Sequence, residues 1–95
     1  MYQSLEDGGI RLTYEDYNVE FFGGGDYEAI YTLNKEESDK LHNILNEEYI
    51  KNGGKDNLDL KDLIHYFFGE RLEKKSFASY CKKNNIKYEL KTFVH

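Results

Sequence analysis

The chain reads as an α+β protein: an antiparallel β-meander, three helices and a C-terminal strand that returns to the sheet. Three observations predict this. Apolar residues alternate with period two near both ends, they repeat at helical spacing through the middle, and no Pro interrupts either pattern. Strands grouped apart from helices indicate α+β rather than a doubly wound sheet. The predicted order is β-β-β-α-α-α-β, with the helices on one face. The last strand must rejoin the sheet, because a lone strand leaves its backbone unsatisfied.

The first strand is expected at Ile10, Leu12 and Tyr14, which alternate with Arg11 and Thr13. Glu15-Asp16 reads as a short polar turn. A second strand runs from Tyr17 to Phe22, and Gly23-Gly24-Gly25-Asp26 breaks it. Tyr27 to Leu33 alternates again as the third. Short turns between three strands predict the meander.

Asn34 has the chemistry of a helix N-cap, and Glu37 stands where a capping box needs a carboxylate. Leu41, Ile44, Leu45 and Tyr49 (or Glu48, by periodicity) form the inward face of this helix, which stops before Asn52-Gly53-Gly54. Leu60, Leu63, Ile64, Phe67 and Phe68 mark a second helix from about Asp59 to Phe68, with Gly69 as its cap. Ser76 opens a third helix carrying Phe77, Tyr80 and Cys81, and Asn84-Asn85 ends it. Ile86 to Val94 is the final alternating strand.

At 95 residues the chain is expected to be one small domain, residues 1–95. Nine Tyr and six Phe, with no Trp, supply a bulky core. No apolar run approaches the about 20 residues that span a bilayer. The acidic start, Met1 to Asp7, does not resemble an ordinary signal peptide. Cys81 is the single cysteine, which fits a reducing compartment, so a cytoplasmic location is expected. Eleven Lys against two Arg, with eight Asn, fit an AT-rich bacterial or phage genome.

Several chemistries are disfavoured by spacing. The triple glycine lacks the phosphate-loop pattern and leads into a strand rather than a helix. Counting from Asp56, a calcium loop would need Gly and Glu where Lys61 and Phe67 stand, so Asp56, Asn57, Asp59 and Asp62 read as helix-capping polar residues. His42, His65 and His95 form no zinc motif, and His65 reads as a partly buried structural histidine. Adjacent carboxylates such as Glu36-Glu37 and Glu47-Glu48 point about 100° apart on a helix and do not converge on one proton. Cys81 has no local partner that would make it a nucleophile. No catalytic residue, cofactor or metal is expected, and the protein is read as non-enzymatic.

Charge is more informative. Residues 1–50 hold 12 Asp/Glu and three Lys/Arg, a net −9, while residues 51–95 hold six and ten, a net +4. Much of the acid in residues 36–62 is explained by helix starts. What remains is a carboxylate-and-tyrosine group on the meander: Tyr14, Glu15, Asp16, Tyr17, Glu20, Asp26, Tyr27 and Glu28. Exposed Tyr among carboxylates suits a docking face for a basic protein partner, in the manner of an immunity or inhibitor protein. The alternative is a nucleic-acid-binding module in residues 71–91, where Arg71, Lys74, Lys75, Lys82, Lys83, Lys87 and Lys91 are interleaved with Tyr80, Tyr88 and the nearby Phe93. An acidic net charge and only two Arg weigh against it. Opposite charge on the two halves, together with an edge strand, also makes a homodimer an expectation.

Overall fold

A computed structural model describes the backbone of residues 2–19, 25–69, 72 and 76–94, and their side chains except at 16–19, 25–27 and 94. Its elements are β1 (Tyr2–Ser4), β2 (Ile10–Val19), β3 (Gly25–Leu33), α1 (Lys35–Lys51), α2 (Leu60–Phe68), α3 (Phe77–Lys83) and β4 (Glu89–Val94). The sheet is antiparallel throughout, in the spatial order β1-β2-β3-β4. The α+β class and the order β-β-β-α-α-α-β are as the sequence predicts.

The membership of the first strands differs from the expectation. Glu15 and Asp16 make no turn: β2 runs through them, paired with Glu28 and Tyr27. The register shifts only between Asp16 and Val19. A continuous neighbour supplies ladder hydrogen bonds that outweigh the poor strand propensity of two acidic residues. The strand not foreseen is β1, three residues joined to β2 by a turn. There Leu5 N–H donates to Gly9 O at 2.9 Å and Gly9 N–H to Asp7 Oδ1 at 2.9 Å. Phe21, Phe22, Gly23 and Gly24 lie outside the described residues.

The helix signals are borne out locally. Asn34, Asp59 and Ser76 cap α1, α2 and α3, each side chain accepting the N–H three residues on. Gly69 closes α2 at φ 83°, a conformation that favours glycine. The capping box is only half made. Glu37 does not reach back to Asn34; its carboxylate accepts the backbone N–H of Lys87 at 2.8 Å instead. The last strand also starts later than predicted, at Glu89, because Ile86 is buried as a core residue ahead of it.

One face of the sheet carries the core. Ile10, Leu12 and Leu33 join Leu41 and Leu45 of α1, Leu63, Ile64 and Phe68 of α2, and Phe77 and Cys81 of α3. Aromatic edges lock the layers together: the Phe77 ring meets Tyr31 at 5.2 Å and Phe68 at 5.4 Å between centroids. Among the described residues, no helix is long and apolar enough to cross a membrane.

Candidate functional site

Strand alternation sorts the sheet residues into two faces. On β2 and β3, Ile10 pairs with Leu33, Leu12 with Tyr31 and Tyr14 with Ala29, and all of these point to the helices. Arg11, Thr13 and Glu15 therefore point the other way, opposite Thr32, Ile30 and Glu28. The strand β4 extends these pairs into three cross-strand rows: Arg11–Thr32–Glu89, Thr13–Ile30–Lys91 and Glu15–Glu28–Phe93. None of these nine residues belongs to the buried core.

The third row is the candidate site. Glu15 and Glu28 stand directly opposite each other, a cross-strand spacing of about 5 Å between Cβ atoms. Like charges directly opposite on neighbouring strands are in general an unfavourable cross-strand pair. Glu15 is exposed and Glu28 half-buried. Phe93, which is 43% exposed, flanks Glu28 on the β4 side. An aromatic side chain beside two carboxylates offers both an apolar contact and negative charge to a cation.

The structure divides the eight residues expected on this face. Glu15 and Glu28 come together on it. Tyr14 does not join them: it points to the other face and packs half-buried against the core, so its ring is not the exposed anchor expected. Asp16 and Tyr27 are backbone partners in the ladder, and Tyr17 and Asp26 belong to β2 and β3. The side chains of Asp16, Tyr17, Asp26 and Tyr27, and the whole of Glu20, lie outside the described residues. Phe93, Ile30 and Lys91 were not expected beside the acidic group. Alternation along the last strand could have placed Lys91 and Phe93 on one face, as alternation along β3 could have placed Ile30 with Glu28; choosing their neighbours required the register of β4 against β3.

The basic segment is less well formed as a surface. Arg71, Lys74 and Lys75 lie outside the described residues. Lys82 and Lys83 are exposed in the last turn of α3, where cations complement the helix dipole. The interleaved tyrosines face inward. Tyr80 packs against the core and donates its hydroxyl to Glu48 Oε2 at 2.6 Å. Tyr88 meets the Tyr31 ring edge-on at 5.2 Å.

Two further candidates can be placed. Cys81 is fully buried, and burial, with the Glu37 charge adding to it, pushes its thiol up to about 12. The nucleophilic thiolate is therefore scarce near neutral pH. His65 is exposed on α2 rather than partly buried as expected, since its neighbours Leu63, Ile64 and Phe67 take the inward positions. Among the described residues, no group of three or more His, Cys, Asp or Glu is placed to hold a metal ion.

The chain matches no protein-family model, and no curated protein or solved structure shows significant similarity to it.

Proposed function

We propose that this is a small non-enzymatic interaction protein of bacterial or phage origin. It uses the acidic outer face of its β2–β3 hairpin to bind, and to inhibit, a basic protein partner. The observation that carries the reading is the Glu15–Glu28 pair. Two carboxylates in register on a face that no core residue occupies concentrate negative charge there. A basic side chain docked beside them gains from that charge. Phe93 beside Glu28 adds an aromatic contact of the kind interfaces favour.

The nucleic-acid reading is weaker on the same geometry. Sequence-tolerant strand binding needs exposed aromatic rings to stack bases; of the three aromatics in that reading Tyr80 and Tyr88 are engaged in the core, which leaves Phe93 exposed.

The experiment is capture from a bacterial lysate on immobilised protein, with mass-spectrometric identification of what elutes at high salt. The wild type should retain one or a few basic proteins. A variant with Glu15, Asp16, Glu20, Asp26 and Glu28 neutralised to the corresponding amides should lose them. Equal retention by the neutralised variant would sink the site. A salt-sensitive gel shift with RNA or DNA, abolished by K82Q/K83Q, would replace the reading with its rival.

A further inference from the structure

We propose that the chain forms a two-fold dimer in which β4 pairs with β4 of a second copy, centred on Thr92. Two four-stranded sheets then become one sheet of eight strands.

The inference starts at the sheet edge. The strand order leaves β4 with β3 on one side and no strand on the other among the described residues. Such an edge presents unpaired N–H and C=O groups, and β4 has no Pro to block it. Among the described residues, two of the four exposed large hydrophobics lie on this one strand, Leu90 at 47% and Phe93 at 43%. They point to opposite faces, so no single partner laid on one face of the sheet covers both. A strand added at the edge does.

Symmetry and charge select the register. A two-fold axis perpendicular to the sheet leaves each residue on its own face, so it must pass through a residue facing its own copy. Centring on Lys91 sets two ammonium groups directly opposite, which is unfavourable. Centring on Leu90 aligns only Glu89, Leu90 and Lys91 within the strands, because residues 86–88 precede β4 and the Lys87 N–H is already held by Glu37. Centring on Phe93 aligns only Thr92 to Val94. Centring on Thr92 aligns Leu90 to Val94, sets Thr opposite Thr, and brings Leu90 into register with Val94 of the second copy.

The outer face shows the complementarity most clearly. The row Glu15–Glu28–Phe93 ends at the open edge. In the Thr92-centred register the next residue in that row is Lys91 of the second copy. With strands about 4.8 Å apart, its Cα lies about 10 Å from that of Glu28. The Lys stem lies over the Phe93 ring, and the ammonium reaches toward the Glu28 carboxylate. The two-fold repeats the contact. A row that holds like charges within one copy thus meets a cation supplied by the other. The inference rests on the open edge and on Lys91, independently of any basic partner.

The test is sedimentation equilibrium from about 10 µM to about 1 mM, the range that suits so small an interface. The wild type should move from the 11.3 kDa monomer toward twice that mass. K91E, at an exposed position, should weaken association about tenfold or more, and the charge swap E28K/K91E should restore it. Under mild oxidation T92C should give a disulfide-linked dimer, whereas L90C and K91C should not; Cys81 is fully buried and stays out of the reaction. A monomer across the whole range, an unchanged K91E, or preferential cross-linking at Leu90→Cys or Lys91→Cys overturns the proposal.

Discussion

Glu37, in the first turn of α1, accepts the backbone N–H of Lys87, fifty residues away, at 2.8 Å. The carboxylate is buried, and the bond ties the start of the long helix to the segment that delivers β4 to the sheet. Lys40 reinforces the junction: its ammonium donates to Asn85 O at 2.6 Å and lies 3.9 Å from Glu37 Oε1. Replacing Glu37 with Ala leaves a partly buried N–H without its acceptor. Urea unfolding should show a loss of about 2–3 kcal/mol for E37A and under about 1 kcal/mol for E37Q, which keeps an acceptor oxygen.

Alkaline pH should unfold the protein through two groups. Burial first, then the hydrogen bond to Glu48, raises the Tyr80 phenol above its ordinary value of 10.0. Burial raises the Cys81 thiol from 9.0 to about 12. Both folded values exceed the unfolded ones. Their contribution to stability is therefore complete below about pH 9 and declines as pH rises through the folded values. Denaturation midpoints should be flat with respect to these groups near pH 7–8 and fall above pH 9. Y80F should lose about 1–2 kcal/mol at neutral pH with its hydrogen bond, and should show a shallower decline above pH 10.

These junctions also show where sequence reading reaches its limit. Asn34, Asp59 and Ser76 were legible as caps because each acts on an N–H three residues away. The helix cores were legible because α-helical periodicity is local. Glu15-Asp16 was misread because turn chemistry and strand continuation differ only in whether a partner strand is present, and that partner is set by register. The three residues of β1 are too few to show alternation, although Asp7-Gly8-Gly9 was a turn signal that could have implied a strand before it. For the acidic site, sequence supplied Glu15 and Glu28 but not their opposition. Tyr14 was misplaced among the exposed residues, although its alternation with Leu12 already pointed it inward.

The turn between β1 and β2 depends on Gly9. A Cβ there would lie 2.3 Å from the backbone oxygen of Leu33, which has little freedom to retreat. G9A should push the β1–β2 turn away from the end of β3 and cost about 1–3 kcal/mol in denaturant unfolding. G53A is a useful contrast. Nothing lies within 4 Å of a Cβ at Gly53, but its φ of +96° strains any other residue, so its loss of about 1 kcal/mol would reflect backbone conformation alone.

The opposed carboxylates make a prediction about the free protein that needs no partner. If Glu15 and Glu28 repel, removing one charge should stabilise the fold. E28Q keeps the shape of the side chain and leaves Glu15 in place. The expected gain is about 0.2–1 kcal/mol in low salt. For a chain of this size that is a rise of about 1–8 °C in Tm. Salt screens charges on an exposed face, so the gain should shrink as NaCl rises from about 20 mM to about 500 mM. A residue kept for packing would behave otherwise: E28Q would lower Tm, or change it equally at both salt concentrations. Thermal melts of wild type and E28Q at the two salt levels separate these outcomes. A stabilising E28Q that also loses the captured basic protein would show stability traded for binding at one residue.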